Sequence, residues 1–277
     1  MRIAVALTLG LIAINMPASE LNPKVLNVIG EDARVVQGGN VAKYQHTVWN
    51  DAFPWVLDRA ITGAVQQQIT VEYGDHETEP LTIIIGSAVA SASEHGLRVT
   101  NLDSTTFVLA DQAGTLAAMT RWSKNDDTGE LGRKVKRLNE SYDSWFLIVK
   151  PLELQDWGRV ASQSKPAAKL MQMVEEASGG IRLGPYAEVC IEVVLKTPDD
   201  AVTLAGLGRW LPGFIQVKEP GGLVSRMVDL TENLSIRAEG SLVTISFVIS
   251  ERKLEDMLKL MGRKGRGEPN LPAPEVE

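Results

Sequence analysis

The apolar and polar positions of the first half of the chain alternate between helix-like and strand-like spacing. Apolar residues that recur every three or four positions predict amphipathic helices over 53–65, 112–124 and 130–140. Short runs rich in β-branched and aromatic residues, bounded by turn residues, predict strands. These runs cover 33–37, 69–73, 81–87, 97–101, 105–110 and 143–150. We expect Gly38-Gly39 to end the first of these strands.

The clearest helix start of the second half is Thr197-Pro198-Asp199-Asp200. It combines a hydroxyl N-cap, a proline at the first helical position and acidic residues near the positive end of the helix. We expect this helix to end near residue 211, before a break at Pro212-Gly213. The residues predicted to face inward are Leu204, Leu207 and Leu211.

Other elements are predicted on both sides of this helix. Apolar residues at 167, 170, 171, 174 and 177 share one helical face, and Gly179-Gly180 follows as an end signal. Strands are predicted over 187–196, 234–239 and 242–249, with a less regular helix over 223–230. Ser250 is predicted to cap a final helix, whose apolar face comprises Leu254, Met257, Leu258 and Met261.

The N-terminus has the pattern of an export signal. Arg2 is followed by an apolar run over 3–14 and by small residues at Ala18-Ser19. This arrangement is typical of a secretory signal peptide, and the run is shorter than the ~20 apolar residues that a membrane-spanning helix needs. We therefore expect residues 1–18 to direct export to the periplasm or the cell exterior, with no stable membrane span in the mature chain. The alternative is a buried first element of an intracellular protein.

A short segment recurs in the two halves. TLAAMTRW at 115–122 and TLAGLGRW at 203–210 share five of eight residues, and each follows a predicted strand. The simplest explanation is two copies of one strand–helix–helix–strand unit. The sequence thus predicts an α+β fold of two related lobes, each with a mainly antiparallel sheet and helices on one face.

These patterns divide the chain into four parts. We predict a signal peptide at 1–18, an N-terminal lobe at 19–151, a C-terminal lobe at 152–262 and a disordered tail at 263–277. The irregular stretch 151–165 is the predicted linker. The sequence leaves open whether the two lobes share one sheet.

Five longer segments combine strand and cap patterns: GEDARVVQGGNV at 30–41, NLDSTTFVLAD at 101–111, YDSWFLIVKP at 142–151, ASGGIRLG at 177–184 and LSIRAEGSLVTISFVISERKLEDML at 234–258. On these segments the chain resembles a family of uncharacterised secreted bacterial proteins. The resemblance spans most of 30–261, with a shortened stretch between about 51 and 81. It implies export and a two-part α+β architecture, and it supplies no catalytic residue.

Composition narrows the possible chemistry. The chain has 277 residues, a formal net charge of −7, one cysteine and three histidines. A single cysteine leaves no disulfide within the chain, and four scattered Cys and His residues make a structural zinc site a poor fit. The acidic total argues against a nucleic acid partner, since phosphate contacts need a basic surface. We expect no metal and no cofactor.

Possible catalytic residues each have a simpler interpretation. His76 lies among acidic residues in a predicted hairpin loop, and polar loops are normally acidic. Ser250 and Lys253 have Ser-x-x-Lys spacing, but Ser250 stands where a helix N-cap is expected. Cys190 is predicted to share one strand face with Glu192 and to be a half-buried, unreactive residue. We assign no catalytic residue.

The candidate binding residues are the recurring pairs Arg121-Trp122 and Arg209-Trp210. If both pairs lined one groove between the lobes, they could hold an anionic or aromatic ligand. The alternative is that each Trp completes the inward stripe of its helix and each Arg pairs with a carboxylate.

The sequence thus favours an exported protein that is not an enzyme and acts as a binding or assembly module. Its partner would be a protein, an envelope component or a small ligand. The alternative is a hydrolase whose serine or carboxylate pair is assembled between the lobes.

Overall fold

The computed structural model describes residues 21–44, 61–73, 80–90, 97–124, 129–149, 172–184, 186–218, 231–253 and 255. The predicted signal peptide, the linker, the helix over 223–230, the C-terminal tail and all three histidines lie outside the described residues.

The described residues form ten strands and five helices. The strands are β1 (Val35–Asn40), β2 (Ile61–Glu72), β3 (Leu81–Ala90), β4 (Arg98–Asn101), β5 (Thr106–Ala110), β6 (Ser144–Ile148), β7 (Val174–Leu183), β8 (Tyr186–Leu195), β9 (Thr231–Glu239) and β10 (Leu242–Ser250). The helices are α1 (Pro23–Ile29), α2 (Val41–Tyr44), α3 (Gln112–Ser123), α4 (Gly129–Ser141) and α5 (Pro198–Lys218).

The ten described strands form one antiparallel sheet, in the order β4-β5-β3-β2-β1-β6-β7-β8-β10-β9. From the central β1–β6 pair outward, the two halves have the same order of strands: first, second, third, fifth, fourth. Because β1 and β6 are antiparallel, a two-fold axis perpendicular to the sheet relates the two strand orders. The mixed α and β fold is confirmed, and both halves belong to one continuous sheet.

The helices pack on opposite faces of this sheet. In β6, Trp145 and Leu147 belong to the core beneath α1, α3 and α4, and we call this face the front. The alternating residues Phe146 and Ile148 contact the core beneath α5, on the back face. The first half of the sheet therefore carries its large helices on the front, and the second half carries α5 on the back.

Local capping explains where the helices begin. The Asp111 side chain accepts a hydrogen bond from Gly114 N at 2.6 Å, and the Thr197 hydroxyl accepts one from Asp200 N at 3.1 Å. Ser250 Oγ accepts one from Lys253 N at 3.4 Å, and residues 251–253 are helical. These three predicted helix starts are confirmed, as are the predicted strands.

Both Gly-Gly pairs lie inside strands, so their predicted role as end signals is wrong. Gly38-Gly39 belongs to β1 and Gly179-Gly180 to β7, the two strands that flank β6. A Cβ atom at Gly38 would overlap the Trp145 ring, and one at Gly180 would overlap the Tyr142 side chain. The glycines leave space for aromatic side chains.

Three predicted helix details are also wrong. Ile61 to Val65 lies in β2, and Val174 to Ala177 lies in β7, because pairing with neighbouring strands overrides the helical spacing. Residues 53–60 and 167–171 of those predicted helices lie outside the described residues. Helix α5 continues through Pro212-Gly213 to Lys218, although proline cannot donate the helical hydrogen bond there.

The inward face of α5 agrees with the prediction only in part. Leu204 packs partly buried against the back core, as predicted, whereas Leu207 is exposed and the side chain of Leu211 lies outside the described residues. The buried positions include Ala201 and Ala205, and Gly208 lies against Ile236 of β9. Small residues at these positions let the helix approach the sheet closely, which turns Leu207 outward.

We expect Gly38→Ala and Gly180→Ala each to lower the free energy of unfolding by about 1–3 kcal/mol, because the added methyl overpacks the contact with an aromatic ring. Urea unfolding followed by fluorescence measures this.

The matched control is Gly206→Ala, where an added Cβ meets no atom within 4 Å. In a helix this change should stabilise the protein by about 0.5–1 kcal/mol. Equal effects at the three positions would contradict the proposed packing.

Candidate functional site

Arg121 is bound within the fold. Its guanidinium donates two hydrogen bonds to the Asp32 carboxylate, at 2.9 and 3.0 Å, and one to the Tyr73 hydroxyl at 2.9 Å. The Tyr73 hydroxyl in turn donates to Ile29 O at 3.1 Å. Burial raises the pKa of Tyr73, although the nearby guanidinium opposes this shift. Arg121 thus joins the end of α3 to the chain that follows α1.

Gly30 and Trp122 complete this junction. Gly30 has φ +74°, and a side chain there would meet the Arg121 guanidinium. Trp122 packs partly buried against the front core, with Lys24 Nζ 5.5 Å from its ring centroid. The described contacts of the Arg121-Trp122 pair support its framework interpretation.

The structure does not bring the two Arg–Trp pairs together. Arg209 and Trp210 lie in α5, and their side chains are outside the described residues. Helix α3 packs on the front at β5, whereas α5 packs on the back over β8, β9 and β10. Six strand intervals separate β5 from β8, a distance of about 29 Å at ~4.8 Å per strand.

The recurring segment instead presents apolar side chains outward. Its fifth residue is Met119 in α3 and Leu207 in α5, and these side chains are 48% and 53% exposed. Leu116 and Val202 are exposed as well, at 59% and 65%. Of the six large apolar side chains exposed in the described residues, four thus lie on these two helices.

The outer surface of α3 carries no exposed charge, because Arg121, its one charged residue, turns towards Asp32. Leu116 and Met119 are three residues apart and so share this surface. The neighbouring helix α4 has the opposite character, since its charged residues are Glu130, Arg133, Lys134, Lys136, Arg137 and Glu140. A solvated helix surface normally resembles that of α4.

A second candidate is an open pocket of about 420 Å³ on the second half of the sheet. Its lining residues are Tyr142, Arg182, Glu188, Val189, Cys190, Asn233, Ser246, Phe247 and Val248. The strand registers place Cys190 and Glu192 on the same face, as predicted, and Cys190 is half-buried.

The charges of this pocket are largely satisfied within it. Arg182 pairs with Glu188 at 3.3 Å and also donates to Ser141 O at 3.1 Å. Burial, followed by a hydrogen bond with Cys190, raises the pKa of Tyr142 to about 12. At neutral pH the Tyr142 hydroxyl is therefore a proton-bearing donor and a poor general base.

No pattern in the sequence indicated that Tyr142 would line this pocket. Its ring lies over Gly180, and only the pairing of β6 with β7 brings those residues together.

No group of three or more His, Cys, Asp or Glu side chains in the described part of the chain has a geometry that would hold a metal ion. No helix in that part is long and apolar enough to cross a membrane.

Comparisons with family models, with curated proteins and with solved structures found no match. The class of protein is therefore defined by the fold alone, as a mixed α and β protein built on a single large antiparallel sheet.

The raised pKa of Tyr142 gives a pH prediction. Tyrosines of the unfolded chain ionise near pH 10, whereas folded Tyr142 keeps its proton to about pH 12. The contribution of Tyr142 to the free energy of unfolding is therefore fully present below pH 10, and it is lost as pH rises towards 12. Tyr142→Phe should make stability fall less steeply over this range. Urea unfolding at about pH 9, 10 and 11 measures the slope, and an unchanged slope would contradict the assignment.

Proposed function

We propose that this chain is an exported assembly protein that is not an enzyme. In this proposal residues 1–18 direct export, and the folded part binds further copies of itself through the outer surfaces of α3 and α5. The observation that carries the proposal is the uncharged surface of α3, on which Leu116 and Met119 are exposed, in contrast to the charged helix α4 that follows it in the chain.

Burial of such a surface is favourable. Apolar area removed from water contributes roughly 25 cal/mol per Å², and clustered exposed apolar residues are typical of protein contact sites. A solvated surface would gain nothing from two large apolar side chains at neighbouring positions.

Exposed apolar side chains on two separate helices of one chain suit self-assembly in particular. Because α3 and α5 lie on opposite faces of the sheet and far apart, contact at one leaves the other accessible. A contact of α3 in one copy with α5 in another would be heterologous, and such contacts generate rings or open chains.

The hydrolase alternative has less support from the described pocket. A thiol or hydroxyl nucleophile there would need a nearby base to take its proton. Tyr142 keeps its own proton at neutral pH, and Glu188 is paired with Arg182.

We expect the mature chain to self-associate and Leu116→Glu with Met119→Glu to weaken association at least about tenfold, which is ~1.4 kcal/mol or more. Sedimentation velocity over a range of concentrations measures this. Both side chains are exposed, so the fold should be retained, which circular dichroism checks.

The matched control places two glutamates at exposed positions away from α3, as Ser87→Glu with Ser104→Glu. It adds the same charge and should leave association unchanged. The assembly proposal would be overturned if the wild-type chain stayed monomeric, or if the control variant associated as weakly as the α3 variant.

Export is tested separately, by fusing residues 1–18 to a reporter enzyme that is active only outside the cytoplasm. We expect activity from this fusion and none after Leu9→Arg with Leu11→Arg, which interrupts the apolar run. A wild-type fusion that stays in the cytoplasm would refute export without affecting the assembly test.

A further inference from the structure

The front of the second half of the sheet has a different covering from the first half. In the first half α1 and α3 pack on the front, and α3 follows directly after β5. In the second half the described helix on the front is α4, which lies over β6 and β7. Beyond it, β8 and β10 present half-buried front residues of mixed character, among them Val194, Leu242 and Val248.

The two-fold relation of the strand order indicates which segment of the chain should cover the front of β8 and β10. Strand β10 occupies the position of β5, and helix α4, which precedes β6, occupies the position of α1, which precedes β1. The chain that follows β10 is therefore the counterpart of α3. It starts in the same way, because Ser250 caps a helical turn at 251–253 as Asp111 caps α3.

The sequence that continues from this turn has one apolar helical face. Its members are Leu254, Met257, Leu258 and Met261. Residues 254 and 256–277 lie outside the described residues. A helix this short is marginal in isolation, so an apolar face of this kind requires a packing surface.

We propose that residues 254–261 continue the helix begun at Ser250 and pack their apolar face on the front of β8 and β10, beside α4. The occupant of this surface is thus the chain's own C-terminal segment. The proposal does not depend on the assembly proposed for α3 and α5.

The lengths agree with this placement. From Ser250 back to Ser246 the strand spans four residues, or about 13 Å at ~3.3 Å per residue. A helix that folds back over the sheet covers this distance in about nine residues at ~1.5 Å each. Leu258 therefore lies near the level of Ser246, which is paired with Cys190.

Cys190 is the one cysteine of the chain, so it gives a specific test. In the full-length protein, Leu258→Cys places a second thiol on the inward face, and a short bismaleimide should link it to Cys190 within one chain. The matched control is Lys259→Cys, which lies at the same level on the outward face. We expect linking to be at least about tenfold slower in the control, since the two side chains point in different directions around the helix.

Mass spectrometry after proteolysis identifies the linked peptides. Equal rates for the two variants, or no link in either, would overturn the proposal. A link that joins two chains would overturn it as well, by assigning the surface to a second copy.

A second measurement needs no introduced cysteine. A chain that ends at Lys253 should expose Cys190, so its alkylation by a small maleimide should be about tenfold faster than in the full chain. A chain that ends at Gly262 keeps the segment and should react like the full chain. Unchanged reactivity after removal of residues 254–277, in a chain that circular dichroism shows to be folded, would contradict the proposal.

Discussion

The fold depends on the packing of two aromatic side chains onto glycines at the centre of the sheet. The Trp145 ring lies on Gly38 of β1, and Tyr142 lies on Gly180 of β7. The buried Trp145 Nε1 also donates to Asn139 Oδ1 at 3.2 Å, which ties α4 to β6. Strand β6 can therefore pair with both β1 and β7 only because these two strands have glycine, and so no side chain, at the positions that face the aromatic rings.

Buried polar contacts fix the same junction. Asp143 is buried; its side chain accepts hydrogen bonds from Lys43 and, at 2.7 Å, from Leu183 N. The carboxylate has one partner from each half, so loss of either partner would leave a buried charge without one of its hydrogen bonds. The junction thus specifies the central pairing, and the two-fold strand order extends outward from it.

Local signals in the sequence predicted the elements that depend on local physics. The caps at Thr197 and Ser250 act within one turn, so their residues are sufficient to identify them. The Gly-Gly pairs could not be interpreted in this way, because the aromatic rings that they accommodate are distant in the chain: Trp145 lies against Gly38, and Tyr142 lies against Gly180. Arg121 shows the same limit, since its carboxylate partner, Asp32, comes from beyond α1.

The edges of the sheet bear on which surfaces are suited to binding. Strand β4 has four residues, and β9 carries a register shift against β10, a left-handed Asn233 with φ +55°, and the exposed charges Arg237 and Glu239. Short, bulged and charged edges disfavour the addition of strands from another chain. An assembly that extended through edge strands would have to overcome these features, whereas α3 presents an uncharged surface with two exposed apolar side chains. The surface of α3 is therefore better suited to contact with another chain than the edge strands β4 and β9 are.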